Sequence, residues 1–138
     1  MIILDTNIIS ELMKEMPNAH VVQWINKQNA NYLYITTITI GEIVYGLEVL
    51  PLGKRRYLLN EVFHGVIMQT FKHRILPFTD SAAFVYGKIM GKRKSLGKPL
   101  SIPDGQIAAI GLSQGCSIAT RNIKDFTDCE LDLINPFD

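Results

Sequence analysis

The chain opens Met1-Ile2-Ile3-Leu4-Asp5-Thr6-Asn7, three large apolar residues running straight into an aspartate. A short apolar run of this kind reads as a buried strand. Asp5 then stands at the carboxyl end of that strand. In open α/β sheets, ligand sites lie just outside those strand ends. A carboxylate there either caps the next helix or holds something charged.

The rest of the chain alternates short apolar runs with helical stretches, which favours an α/β fold. Residues 2–5 read as a strand and 8–14 as a short helix ending before Pro17. Residues 18–28 read as a helix with Val21, Trp24, Ile25 and Gln28 on one stripe and Trp24 as a core anchor. Residues 32–36 are a second strand. Residues 40–50 are helical, with Ile40, Ile43, Val44 and Leu47 at core spacing. Residues 54–72 read as a longer helix. Ile75–Leu76 is a short strand cut off by Pro77. Thr79 caps a helix reaching about Lys94, and 95–101 is a loop. Ile102–Gln114 is a helix with Gly115 after it. Residues 117–120 form a strand, 122–125 a turn, and 131–134 a last edge strand. Crossovers of this kind imply a mostly parallel central sheet with helices on both faces.

A length of 138 residues suits a single domain spanning 1–138, and 47% apolar with 20% charged residues is a globular composition. No apolar stretch is long enough to cross a membrane. No basic n-region precedes the first strand, so no signal peptide is expected. Cys116 and Cys129 form no C-x-x-C pair, so reduced thiols and a cytoplasmic location are the expectation. The net charge of +1 does not announce a nucleic-acid partner, but its distribution is uneven. Lys88, Lys92, Arg93, Lys94 and Lys98 crowd residues 86–98, whereas 125–138 is acidic. That asymmetry reads either as an oriented field or as a solvated helix face plus an acidic tail.

Four carboxylates occupy special places, and each has an ordinary explanation. Asp5 is placed to cap the helix after it. Glu42 completes Thr39-Ile40-Gly41-Glu42, a capping box, and Asp104 completes Ser101-Ile102-Pro103-Asp104, another helix start. Asp125 is placed to stabilise a turn. Together they read differently. Strand ends and the starts of following helices share one edge of a parallel sheet, so all four can converge there. Carboxylates at close range raise one another's pKa, and a divalent cation removes that conflict. Oxygen-only ligation favours Mg²⁺ or Mn²⁺ over zinc. Such a cation activates water and stabilises charge on a phosphoryl oxygen, so phosphodiester hydrolysis is its natural use. Thr6, Asn7, Thr120 and Asn122 add neutral groups beside the acids, to orient them, to contact phosphate or simply to cap. Other signatures are missing: there is no G-x-S-x-G, no phosphate-binding G-x-x-x-x-G-K-[ST] and no G-x-G-x-x-G. His20, His64 and His73 stand at no metal spacing.

Four blocks occur in order: Leu4-Asp5-Thr6-Asn7, Thr37-Ile38-Thr39-Ile40-Gly41-Glu42-Ile43, Pro103-Asp104-Gly105-Gln106-Ile107-Ala108-Ala109, and Ala119-Thr120-Arg121-Asn122-Ile123-Lys124-Asp125-Phe126. In these blocks the chain resembles PIN-domain proteins of the VapC toxin type. The ending Asn135-Pro136-Phe137 and the length resemble the FitB-like subgroup. The resemblance implies a Mg²⁺- or Mn²⁺-dependent endoribonuclease, the toxin of a type II toxin–antitoxin pair. It implies catalytic roles for Asp5, Glu42, Asp104 and Asp125, and metal ligation by Asp5, Asp104 and Glu42. Some relatives carry an aspartate where this chain has Asn122, and others an asparagine there with an aspartate three residues on; this chain follows the second pattern, and the fourth position lies between Asn122 and Asp125. It further implies a homodimer and an antitoxin with a DNA-binding end that sends a segment into the acidic groove, in a higher assembly. Lys88, Lys92, Arg93, Lys94 and Lys98, and with them Lys54, Arg55 and Arg56, are the candidates for holding the RNA backbone. A catalytically silent PIN-fold module that binds a protein or RNA is the competing reading. A receiver-like phosphoacceptor would want adjacent acids after strand one, and this chain offers only Asp5.

Overall fold

The computed structural model describes Met1–Asp138 throughout. Five strands form one sheet in the order β3-β2-β1-β4-β5: β1 Ile2–Leu4, β2 Leu33–Thr36, β3 Ile75–Leu76, β4 Ser117–Ala119 and β5 Leu133–Ile134. Every neighbouring pair is parallel. The central strand β1 sets Ile3 opposite Tyr34 on one side and Ile118 on the other. Its side chains alternate between the two faces. Leu4 joins a core with Ile8, Ile9, Ile35 and Phe63, while Ile3 joins one with Ile89, Ile107, Ile110 and Ile118. A strand buried on both faces has no polar alternation, which is why 2–4 reads as an unbroken apolar run.

The helices are α1 Thr6–Leu12, α2 Ala19–Lys27, α3 Thr37–Glu48, α4 Lys54–Val62, α5 Met68–Thr70, α6 Asp80–Ser95 and α7 Ile102–Gln114. The turn order is close to the sequence expectation, with four informative differences. Helix α1 starts at Thr6, not residue 8, because Asp5 accepts a hydrogen bond from the Thr6 amide at 2.8 Å. Helix α3 starts at Thr37, because the buried Thr36 hydroxyl accepts from the Thr39 amide at 3.1 Å. The expected capping box from Thr39 is therefore not the helix start, and Glu42 lies in the second turn with its carboxylate free for other partners. The expected helix over 54–72 is broken by a π-helical turn at Phe63–Ile67. Phe63, Ile67 and Phe71 are all buried at a spacing of four. An α-helix overshoots a full turn in four residues, and the wider π turn brings the three back onto one side. Trp24 is half-buried at the rim, and Val21 is the buried residue of α2.

A cap and two glycines set the run and packing of α7, which carries Asp104. The Ser101 hydroxyl accepts from the Asp104 amide at 3.3 Å and starts α7. A Cβ at Gly105 would collide with Met90, so glycine there permits the close packing of α6 on α7. Gly115 ends α7 at φ 68°, a left-handed conformation that glycine adopts freely. Cys116 and Cys129 are buried and unpaired. No helix is long and apolar enough to cross a membrane.

Candidate active site

The carboxyl edge of the sheet carries the site. The Asp5 amide continues the ladder by donating to the Ala119 carbonyl at 2.9 Å, which sets Asp5 beside Thr120 at the ends of β1 and β4. Thr120 is fully buried, and its hydroxyl donates to Asp5 Oδ2 at 2.8 Å. That hydroxyl also accepts from Asn7 Nδ2 at 3.3 Å and from the Asn122 amide at 3.1 Å, using one donor and two acceptor positions. Asn7 Nδ2 reaches Asp5 Oδ2 at 3.3 Å, and Asn7 Oδ1 accepts from the Arg121 amide at 3.2 Å. Thr6 donates to Glu42 Oε1 at 2.7 Å and stands 2.9 Å from the Thr39 hydroxyl. The β1–β4 wall of the site is thus a closed hydrogen-bond network.

A cleft of about 370 Å³ opens on this edge, with no hydrophobic residue in its lining. Asp5, Glu42, Asp104 and Asp125 all line it, with Thr6, Asn7 and Asn122. Asn122 contributes through its main-chain amide; its exposed side chain makes no hydrogen bond. Two cations that sequence reasoning passed over also line the cleft, Lys14 and Arg121. Lys14 is engaged by Glu11 at 2.9 Å, and Glu11 also accepts from the Asn18 amide at 2.9 Å. The Lys14 hydrogen bond holds the Glu11 carboxyl below its usual range. The Arg121 guanidinium sits 4.7 Å from the centre of the Phe137 ring, a cation–π contact. The one available signal for Arg121 was its place directly after Thr120, at a strand end.

The expected basic run has a different fate. Arg93 is buried, 4% exposed, and bonds to main-chain carbonyls inside the protein, so it is no contact for RNA. The signal was in the helical period: Ala82, Ile89 and Arg93 share the inward stripe of α6. Lys88, Lys92, Lys94 and Lys98 are exposed, and none lines the acidic cleft. Lys88 and Lys92 flank a separate depression beside Asp128 and Glu130, and Lys98 lies 3.5 Å from Asp128. The basic run and the acidic tail therefore meet at this depression, away from the cleft. Of the α4 cations, Arg56 pairs with Glu48 at 2.8 Å, and Arg55 lines a groove adjoining the cleft.

Burial, and then the charges of Asp104 and Glu42, push the Asp5 carboxyl up to about 6 against the pull of its Thr120 and Thr6 hydrogen bonds. Burial pushes Asp104 up as well, helped by Asp125 and opposed by Ser101 and Arg93. Such a cluster gains from a cation. No three acidic side chains stand close enough together to ligate a bare ion, which leaves Glu42 to act through water beside Asp5 and Asp104. The donor set fits a hydrated hard cation instead, since Mg²⁺ keeps several waters and takes one or two carboxylates. The polar cleft has room for those waters.

The PIN domain profile matches residues 2–128. A VapC ribonuclease from Sinorhizobium fredii is 39% identical over 100% of this chain and 99% of its own. Toxin FitB from Neisseria gonorrhoeae is 35% identical over 99% of each. The structure of FitAB bound to a DNA fragment superimposes with a TM-score of 0.93 at 35% identity, covering 100% of this chain and 96% of that one. The order of the sheet, the acidic cleft at its carboxyl edge and these full-length likenesses lead to one conclusion: the chain belongs to the PIN-domain family.

Proposed function

We propose that this chain is a Mg²⁺- or Mn²⁺-dependent endoribonuclease, acting in the cytoplasm as the toxin of a toxin–antitoxin pair. The observation that carries the reading is the convergence of Asp5, Glu42, Asp104 and Asp125 on one wholly polar cleft. The names of full-length relatives, a ribonuclease and a toxin, support it. Asp5, Asp104 and Glu42 would hold the cation, with Asp125 assisting. When bound, the cation supplies an activated water and neutralises charge on the phosphoryl oxygens.

The chain's own residues do the remaining work. Thr6 and Thr120 fix the two oxygens of Asp5, and Thr6 fixes the near oxygen of Glu42, so neither carboxylate must reorganise when substrate arrives. Asn7 braces Asp5 against the Arg121 backbone. Arg121, at the cleft and without a carboxylate partner, suits an RNA phosphate. A proton on Asp5 competes with the cation, which links activity to pH.

FitAB bound to DNA supports an antitoxin with a DNA-binding end as partner here. A groove of about 420 Å³ shares Thr6, Ser10, Lys14 and Glu42 with the cleft and continues along apolar Met13, Ile43, Leu47 and Leu59. It suits an antitoxin segment that is apolar along its length and basic at the end entering the cleft. A homodimer is part of the same reading. Labelled RNA incubated with purified protein tests the chemistry. Cleavage that needs Mg²⁺ or Mn²⁺ and stops with excess EDTA is the expected result; equal cleavage in EDTA would sink the metal mechanism. A silent binding module would leave RNA intact with either metal.

A further inference from the structure

We propose that Arg93 is a positioning residue for Asp125 at the cleft, acting from inside the protein. The proposal rests on the ribonuclease reading above. The Arg93 guanidinium gathers four acceptors: Nε donates to the Lys98 carbonyl at 2.7 Å, and Nη1 to the carbonyls of Asp125 at 3.1 Å and Thr127 at 2.8 Å, with Cys129 Sγ at 3.8 Å. It therefore ties the end of α6 to the turn 123–126 that carries Asp125. It makes no ion pair. A buried cation without a counter-ion is costly, and the main-chain carbonyls here offset only part of that cost.

Two further observations point the same way. The Asp125 carboxylate accepts no hydrogen bond from the protein, so its position follows from its backbone, and Arg93 holds that backbone at the Asp125 carbonyl. The segment after it is strained, with Asp128 and Glu130 both at φ 60°. Strain of this kind persists only where neighbours over-determine it, and Arg93 bonds the residue before each, at Thr127 and Cys129. One side chain thus sets the place of Asp125. Lysine keeps the charge but not the fork that reaches several carbonyls at once.

The test compares wild type, Arg93→Lys and Arg93→Met, with Cys129→Ala as a control that loosens the same segment but leaves the carbonyl ties. Three readouts are taken on the full chain: kcat and KM on RNA, Mn²⁺ affinity by calorimetry, and amide exchange over 123–127 in the metal-free protein. The expected result is a kcat loss of about tenfold or more with KM within about threefold, and Mn²⁺ binding weakened to a similar degree. Arg93→Lys recovers part of the Mn²⁺ affinity through the one carbonyl contact that an ammonium can keep, but its 123–127 amides exchange faster than in wild type. Cys129→Ala unfolds at lower temperature with wild-type kcat. If Arg93→Met does not fold, Arg93→Lys carries the test. Wild-type kcat, Mn²⁺ affinity and exchange in Arg93→Lys would overturn the proposal. A wild type that neither cleaves RNA nor binds Mn²⁺ would sink the ribonuclease reading instead, and amide exchange would still decide whether Arg93 orders the Asp125 turn.

Discussion

The two walls of the cleft are built in different ways. On the β1–β4 wall, both oxygens of Asp5 and one of Glu42 are held by named donors. On the opposite wall, the Ser101 hydroxyl accepts from the Asp104 amide, and no protein donor holds the carboxylate of Asp104 or Asp125. That wall is positioned through its backbone: by the α7 cap, by the Asp125 amide bonded to the Asn122 carbonyl at 3.0 Å, and by Arg93. The first wall is preorganised at its side chains; the second leaves them free to adjust. A hydrated cation that exchanges waters during a reaction needs both, a rigid anchor and a yielding partner.

The largest expected effect falls on the rigid wall's central group. Asp5→Asn should reduce cleavage by well over about a hundredfold, more than the loss of a supporting residue around a metal site. A labelled-RNA assay at saturating Mn²⁺ measures it, and residual activity near wild type would remove Asp5 from the site. Thr120→Val comes next. It takes from Asp5 the hydroxyl at 2.8 Å while keeping shape, so cleavage should fall by about 10- to 100-fold. The same change makes the walls comparable: if Thr120→Val has no effect, preorganisation on the β1 side is not what the reaction uses.

Stability should move the other way from activity. The Asp5 carboxyl titrates at about 6 when folded against 3.8 ordinarily. The folded chain therefore binds more protons than the unfolded one between those values, and the stability linked to Asp5, full below about 4, is lost as pH rises through about 6. Asp5→Asn abolishes that loss. Metal-free, near neutral pH, it should be more stable than wild type by about 1–2 kcal/mol, less than the roughly 3 kcal/mol that the displaced titration corresponds to. The shortfall arises because the new amide presents a donor toward the Thr120 hydroxyl. Melting temperatures from pH 4 to 7 check the sign: the gap should open with rising pH. In wild type the same proton competes with the cation, so cleavage should decline as pH falls through about 6, as a pH–rate profile would show. The smallest effect belongs to Asn122→Ala, within about twofold in kcat, as for an exposed side chain that bonds nothing. A large loss there would mean that the yielding wall recruits Asn122 when RNA binds.

Much of this was legible in the sequence because local chemistry decided it. The apolar run over residues 2–5 read as a buried strand, Ser101 and Pro103 as a helix start, and Gly115 as a helix end. The four carboxylates were placed on one edge by the same logic. What was not legible depended on which of several equal candidates the fold selects. Thr36, Thr37 and Thr39 are all able to cap, and only the packing of α3 chooses Thr36. The π turn follows from three buried residues spaced by four, a pattern that an α-helix tolerates until tertiary contacts forbid the drift. Five cations within 86–98 look alike in a count of charge, and only the inward stripe of α6 separates Arg93 from the rest. The cations that do reach the cleft, Lys14 and Arg121, stood outside any charge run.

The central claim is that the acidic cleft is a cation site anchored on Asp5. Mn²⁺ titrated into the metal-free protein near pH 6, in buffers of differing ionisation enthalpy, tests it most directly. The account predicts binding accompanied by proton release, as Asp5 gives up its proton to the cation, and loss of both signals in Asp5→Asn. Absence of binding at millimolar Mn²⁺, or binding in Asp5→Asn equal to wild type, would contradict it.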